Sequence, residues 1–546
     1  MQSGPLVLKD ISLQPVPGLL EKVSWSGRIT LAFFFGCILG LSSPGFDISW
    51  LAWIGLAPLL VLLRSCIGKR DALFTGLAFG MGYHLVALSW YFGLFPLRWL
   101  GIDDWLGVQV SALVWLVESL HQSLLIGGFS FLAYCLPLRA GYLPYFRRPF
   151  FPYMLSVPLI WLYFQWVVGP SEFFIGIPID QLAYSQSKFT ELIQIARIGG
   201  SALVEFLIVL INVALAEVVL DLVPLGRKPE ERIDRLSDRV GSVFDFLVAS
   251  IVVACVVVWG AGEWQRVAQE TRPEWAMAAE PQCPPIAVAV VQGNVTVEED
   301  RLKTATPAEI CERYASLAKN LGVVLIVLPE GVVNQVQMVQ GFLLSRLKDI
   351  SYREKKEVIV GTVESVKDAR VNAARIISPQ QPAENLYVKR RLIPIAEYAL
   401  FKSLNEHIPQ NIQKRLPAGE AHFVASPSTY LIKSMWGKVG VSIASELIYP
   451  RLIAREVRRG ANLLVNLSNL SWFHGSSVNK NFLAAAVFRA VENGRFVVLS
   501  TNTGISAVID PSGTVTAVSY PGRRGVIMGT VQFLYKKTPF SRMWWL

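Results

Sequence analysis

Seven apolar stretches crowd residues 28–262, and beyond them the chain reads as water-soluble α/β structure to its end. A bilayer admits only elements that satisfy their own backbone hydrogen bonds, so an apolar run of about 20 residues must cross it as a helix. The candidate spans are roughly 29–44, 49–66, 73–96, 105–136, 150–168, 200–224 and 243–262. The first is short and ends at Ser42-Ser43-Pro44-Gly45, which predicts a tilted or broken helix. It begins late and more runs follow, so a cleavable signal peptide is not expected. The division that results is a membrane domain over 1–265 with about seven helices, a soluble domain over 285–534 and a short interfacial tail over 535–546.

Composition agrees with such a hybrid. Apolar residues make up 52% of the 546 and charged residues 17%, too few charges for an ordinary soluble protein of this length. The net charge of +10 does not point to nucleic acid, because the basic residues gather between apolar runs. Lys9, Lys22 and Arg28 precede the first span; Arg64, Lys69 and Arg70 follow the second. Arg139, Arg147 and Arg148 follow the fourth, and Arg227, Lys228, Arg232, Arg235 and Arg239 follow the sixth. The alternate loops are poor in Lys and Arg, so the N-terminus is expected in the cytoplasm, and seven crossings put the soluble half on the far side. Six cysteines occur without a CxxC or Cys/His cluster, and neither a metal site nor a cofactor is expected. Cys37, Cys66, Cys135 and Cys255 read as packing residues; pairing of Cys283 with Cys311 stays open. Glu118, His121 and Glu205 fall within apolar runs, where a functional path and a plain helix–helix hydrogen bond are both open. The segment 169–199, with Phe173, Phe174 and Tyr184, reads either as a lipid access route along the interface or as an ordinary loop.

In the soluble half, short β-type runs alternate with helical stretches. Buried strands are expected at 286–295, 323–331, 357–364, 438–446 and 461–469, a helix near 306–320, and paired strands with a Pro-Ser-Gly turn across 496–513. In α/β folds chemistry sits where strands end in polar residues. Glu330, in Pro-Glu-Gly, ends one apolar strand; partial desolvation raises a carboxyl's pKa and suits a general base, while a helix cap or a surface acid is the plain alternative. Lys389 lies in the basic run Tyr387-Val-Lys-Arg-Arg-Leu-Ile-Pro394, and Ile443-Ala-Ser-Glu446 follows a Gly-Val strand at the place for a nucleophile elbow.

Together these residues resemble the nitrilase superfamily, whose signature is a Glu, a Lys and a Cys from three separate segments. The nearest resemblance is to its membrane branch, the apolipoprotein N-acyltransferases. Val291-Gln-Gly-Asn294 is similar to the family's opening strand and Leu328-Pro-Glu330 to its Glu motif. Tyr387 to Tyr398 resembles its Lys segment, Asn466 to Phe473 its Asn-Asp-Ala-Trp-Phe stretch, and Ser500 to Ser506 a further block. The resemblance implies a polytopic α-helical membrane domain plus an α/β nitrilase-type α-β-β-α sandwich. It implies Glu330 as general base, Lys389 as stabiliser of the tetrahedral intermediate, and Glu397 and Glu446 as supporting acids. It further implies a phospholipid acyl donor, a diacylated apolipoprotein acceptor, an acyl-thioester between the two steps, and a bacterial inner membrane with the soluble domain facing the periplasm.

The resemblance breaks at one atom. The family's elbow reads Ile-Cys-Tyr-Glu, and Gly440, Val441 and Pro450 set a register in which Ala444 occupies the cysteine position. A methyl group has no lone pair and forms no thioester. Three readings stand: a substituted form of a working enzyme, a natural homologue with lost or changed activity, and Ser445 as nucleophile. The last is the weakest, since a one-residue shift at a strand end turns a side chain away. Ser445 and Ala396 are further departures, residues 295–305 lack an expected tryptophan, and the stretch 540–546 is too short for the further span that the resemblance implies. Departures around one pocket favour natural divergence. Acyl transfer, a catalytically silent lipid- or lipoprotein-binding scaffold, and a membrane-tethered amidase are the functions to separate.

Overall fold

A computed structural model of the chain describes residues 23–135, 153–171, 174, 179–222, 232–271, 284–332, 337–366, 369–380, 386–393, 397, 423–426 and 430–543. Phe173, Cys283, Ala396, Tyr398, Trp544, Trp545 and the basic residues Lys9, Lys22, Arg139, Arg147, Arg148, Arg227 and Lys228 lie outside the described residues.

Every expected span meets helix. The N-terminal half runs α1 (Trp25–Gly40), α2 (Ala57–Leu63), α3 (Lys69–Ala87), α4 (Asp104–Cys135), α5 (Tyr153–Leu162), α6 (Thr190–Ile193), α7 (Ala196–Leu222) and α8 (Arg232–Thr271). Among the described residues three helices are long and apolar enough to cross a membrane: Asp104–Cys135, Ala196–Leu220 and Ser242–Thr271. Shorter apolar helices are Trp25–Gly40, Ser49–Leu63 and Met154–Val168. Small residues let α1 and α3 touch backbone to backbone. A Cβ at Gly36 would stand 2.0 Å from the Phe79 carbonyl oxygen, and one at Gly82 2.0 Å from that of Phe33. α7 breaks at Gly199-Gly200, where Gly200 has φ +71° and ψ −177°. Only glycine holds that conformation at low cost. The ring of Phe540 lies 2.5 Å from where a Gly200 Cβ would be. Gly200→Ala is therefore expected to lower stability by about 1–3 kcal/mol, read as a drop in the thermal midpoint of the detergent-purified chain; an unchanged midpoint would contradict it.

The C-terminal half is two six-stranded sheets. The first has the order β12-β1-β2-β3-β4-β5, the second β11-β10-β9-β8-β7-β6. Their strands are β1 (Ile286–Gln292), β2 (Leu325–Val327), β3 (Glu357–Val366), β4 (Ala369–Ile377), β5 (Leu386–Val388), β6 (Ile432–Ser434), β7 (Gly437–Ile443), β8 (Leu463–Ser468), β9 (Val497–Thr501), β10 (Ala507–Ile509), β11 (Val515–Val518) and β12 (Gly525–Val531). β1, β2 and β3 are parallel, as are β7, β8 and β9. Parallel strands covered on both faces read as unbroken apolar runs, which is why period-two alternation is absent from the sequence. In β1, Val288 and Val290 join the core between the sheets, while Ala289 and Val291 face an outer helical layer. That layer holds α10 (Pro307–Ala318) and α11 (Gln337–Glu354), preceded by the short α9 (Val297–Arg301). Across the second sheet lie α12 (Pro450–Arg458) and α13 (Val478–Asn493). The architecture is the expected α-β-β-α sandwich.

Of the 16 residues of α13, 14 are buried, and only Lys480, in its first turn, is exposed, so the helix is enclosed on almost every face. One hydrophobic core joins Phe482, Phe488 and Val491 of α13 to Ile193, Val204 and Leu207 of the helical half. Residues 538–543 of the expected tail belong to this seam as well. α14 (Pro539–Arg542) leaves Phe540 3% exposed and Ser541 wholly buried. Thr538 Oγ1 donates to the Glu492 carbonyl.

Candidate active site

β2 delivers Glu330 to the mouth of the sandwich through Leu328-Pro329. Gly361 of β3 must lack a side chain there, since its Cβ would lie 2.6 Å from the Glu330 Cα. The Glu330 side chain is only 12% exposed. Its Oε1 accepts from Asn372 Nδ2 at 2.7 Å and its Oε2 from the Asn469 amide at 3.0 Å. Lys389 follows β5, with its backbone N–H on the Asn372 carbonyl at 2.8 Å. Its ammonium is buried, 2.9 Å from Glu397 Oε1 and 3.7 Å from Glu330 Oε1. Asn372 Nδ2 also donates to Glu397 Oε1 at 3.0 Å, and Glu397 Oε2 accepts from the Ile393 amide at 2.7 Å.

The electrostatics follow from burial. Loss of water pushes the Glu330 carboxyl above its ordinary range, opposed by the Lys389 ammonium. Burial pulls Lys389 down, but Glu397 and Glu330 outweigh it and hold the ammonium above its usual value. The site therefore offers a reluctant carboxylate, suited to accepting a proton, beside a cation that stays charged.

Ala444 stands at the end of β7 with φ +49°, at the head of the tight turn Ala444–Ile448. A left-handed backbone at a non-glycine strand end is how an elbow presents one side chain. The parallel register pairs Ile443 with Leu467, so Ala444 lies abreast of Ser468 and next to Asn469, whose amide touches Glu330. From the other side Glu446 ties the elbow to the Lys segment. Its Oε1 accepts from the Arg390 and Arg391 amides at 2.8 and 3.2 Å, and its Oε2 from Tyr387 Oη at 2.7 Å and the Ile443 amide at 2.8 Å. Contacts thus gather Glu330, Lys389 and Glu397 at one corner, and Glu446 ties the Lys segment to the strand end that carries Ala444. Among the described residues Ser445 makes no hydrogen bond with Glu330 or Lys389, which leaves it unactivated.

Sequence reasoning missed the scaffold of this cluster: Asn372, Asn469, Tyr387, and the Arg390 guanidinium 2.5 Å from buried Glu456. Tyr387, Arg390 and Asn469 lay inside blocks already singled out, whereas Asn372, in the mixed strand β4, belonged to none. Arg391 stacks 3.9 Å over the Tyr449 ring and donates to the Pro170 carbonyl at 2.8 Å, joining the Lys segment to the helical half. A second link is fully buried. Arg489 lies 2.8 Å from Glu492 and donates to the Ile448 carbonyl at 3.2 Å and to Ser201 Oγ at 3.1 Å. The Ser201 amide and hydroxyl both reach Glu492 Oε1 at 2.7 Å. The elbow turn is thereby bolted to the kink of α7.

The polar residues of the apolar runs pair locally. Glu118 lies 3.4 Å from His121, which also reaches the Phe174 carbonyl, and Glu205 accepts from Trp161 at 3.0 Å and Trp166 at 2.6 Å. Tyr184 sits buried in the turn Leu182–Gln186, against Phe488. No group of three or more His, Cys, Asp or Glu that could hold a metal ion occurs among the described residues.

Burial pushes the Glu456 carboxyl up to about 7, against the pull of Arg390. A carboxyl raised in the folded state favours folding fully below its unfolded value and loses that contribution as pH rises through the folded one. Glu456 is thus expected to make stability fall between about pH 4.5 and 7. Glu456→Gln is expected to flatten that slope in thermal midpoints measured across the window; an equal slope in both chains would refute the assignment.

Residues 35–214 match the model for the apolipoprotein N-acyltransferase N-terminal domain, and residues 287–537 match the model for carbon-nitrogen hydrolase. The chain belongs to the apolipoprotein N-acyltransferase family. The apolipoprotein N-acyltransferase of Geobacter metallireducens is 29% identical over 513 residues, covering 92% of this chain and 89% of that relative. That of Gloeobacter violaceus is 28% identical, with 89% and 84% covered, and that of Chromobacterium violaceum 26%, with 90% and 86% covered. Both halves of the chain, and not the sandwich alone, carry the family likeness.

Proposed function

We propose that this family member binds the substrates of lipoprotein N-acylation, phospholipid and diacylated lipoprotein, in a site that cannot form the acyl-enzyme as the sequence stands. The observation that carries this reading is Ala444 on its left-handed elbow beside a base and an ammonium that are both kept. A cysteine there would lose its proton to Glu330 while sulfur attacks an ester carbonyl. The S–C bond would form, the ester C–O bond would break, and the lysophospholipid oxygen would recover the proton. Lys389 would offset the negative charge on the tetrahedral oxygen. The amine of the lipoprotein would then displace sulfur. Both substrates are anchored in lipid, which fits a sandwich mounted on apolar helices. The loop charges favour an inner-membrane protein with its sandwich on the periplasmic face.

The test compares the chain as it stands with Ala444→Cys after incubation with phospholipid and a diacylated lipopeptide. Intact-mass spectrometry is expected to show an acyl adduct only on the cysteine chain, and the lipopeptide is expected to gain an acyl group only there. N-acylated product from the unaltered chain that persists in Ser445→Ala would overturn the silent-site reading.

A further inference from the structure

One helix outside the second sheet is lopsided in charge. The inner flank of α12 is apolar, and its Ile453 and Val457 belong to the core that joins the two halves. The outer flank carries Arg451 and Arg455, both exposed, with Arg458 half-buried and Arg459 exposed just past the last turn. Residues three or four apart share a helix face, so these guanidiniums form one row. The acid of this helix, Glu456, is buried and engaged with Arg390. It is the only acid between Leu447 and Ser468, and residues 532–543, which reach the same flank, contain none. They add cations instead. Lys537 Nζ donates to the Arg458 carbonyl at 2.8 Å, Arg458 donates to the Met543 carbonyl, and Arg542 is exposed beside them. Among the described residues Arg451, Arg455, Lys537 and Arg542 form no ion pair with a carboxylate. Burial, and then the Arg455 charge, hold the Arg458 guanidinium below its ordinary value, as cations crowded without an answering anion do.

The row also has a definite height. At the start of α12, Tyr449 lies under Arg391, which bonds the Pro170 carbonyl just past the apolar helix Met154–Val168. At its finish, α14 sets Phe540 against Gly200, in the kink that heads α7. Beyond that kink, residues 201–222 at 1.5 Å each are long enough to fill a hydrocarbon core of about 30 Å. Pro170 and Gly200 thus mark the end of one expected span and the head of the next, so they lie on one membrane face. With both ends tied to that face, α12 runs along the bilayer surface at the depth of the headgroups.

We infer that the arginine row of α12 is a docking surface for the anionic phospholipid headgroups of the chain's own bilayer. A guanidinium fork takes two oxygens of a phosphate at once, whereas a zwitterionic headgroup brings a cation of its own against the row. These lipids support the sandwich and are not reactants. The surface rests on the apolar helices lying in a bilayer and is independent of what the strand-end site binds.

The test titrates the full-length chain in mixed micelles of neutral detergent with two ether-linked lipids, phosphatidylglycerol and phosphatidylcholine. Ether chains offer no ester for acyl transfer. The unaltered chain is expected to hold phosphatidylglycerol at least about tenfold more tightly at low salt, and to lose most of that preference in about 0.5 M salt. The triple change Arg451→Gln/Arg455→Gln/Arg542→Gln is expected to bring the two lipids within about twofold at low salt. Its thermal midpoint in lipid-free detergent is expected to match that of the unaltered chain, because all three side chains are exposed. If the variant fails to fold, the salt titration of the unaltered chain decides alone, and a preference that survives about 0.5 M salt would overturn the inference. Equal binding of both lipids by the unaltered chain would overturn it as well, as a face made for an acidic protein would behave. So would a preference that persists in the folded triple variant, since the anionic lipid would then sit elsewhere.

Discussion

In a chain carrying Ala444→Cys, changing Glu330 to Gln is expected to slow acylation of the new thiol by about 10²–10⁴-fold. Glutamine keeps the shape of the side chain, and its one oxygen can still accept from either Asn372 or the Asn469 amide, at the cost of the other bond. What it loses is the ability to take the thiol's proton. The Glu330 carboxyl is poised for that task by burial, which raises its proton affinity, while Lys389 beside it keeps the ionised form accessible. The measurement is a time course of the acyl adduct by intact-mass spectrometry at fixed phospholipid, in the single and double variants. A rate within about threefold of the Ala444→Cys chain would remove Glu330 from the role of base.

Arg489→Met is expected to cost about 3–5 kcal/mol of stability, the usual penalty for stranding one member of a buried ion pair. Both partners have fully buried side chains. Glu492 is already pushed up by burial and held down chiefly by Arg489, so losing the guanidinium leaves a carboxylate with only the donors from Ser201. The loss also frees the Ile448 carbonyl at the end of the elbow turn. Unfolding of the detergent-purified variants should show the double change Arg489→Met/Glu492→Leu recovering much of the loss, because removing both charges deletes the stranded one. A single-variant cost under about 1 kcal/mol would mean that water or another group already answers Glu492.

Much of this could be read from the chain itself, for physical reasons that also mark where reading stops. Apolar runs near bilayer length announce helices whatever they pack against, so each expected span met one. Short buried strands such as β1, β7 and β8 stand out because both faces are covered, and their apolar runs end in polar residues at the site. Glu330, Lys389, Glu397 and Glu446 came from motif order. Their convergence did not, since it depends on sheet order and on the registers of β4 against β5 and β7 against β8. Asn372 and Asn469 were missed because an Asn gives the same letter in a turn and in a hydrogen-bond hub. α13 was missed as an element because helical periodicity vanishes when every face is covered. The packing of residues 538–543 was missed for a related reason: a short amphipathic end reads alike on a lipid surface and in a protein seam.

The enclosure of α13 bears on how the protein can be handled. A fragment beginning at residue 284 would retain both sheets and the four ionisable side chains Glu330, Lys389, Glu397 and Glu446, yet it would expose to water the flank of α13 that Ile193, Val204 and Leu207 cover. Such a fragment is expected to clump, so the folded sandwich is a property of the undivided chain and not of a detachable module.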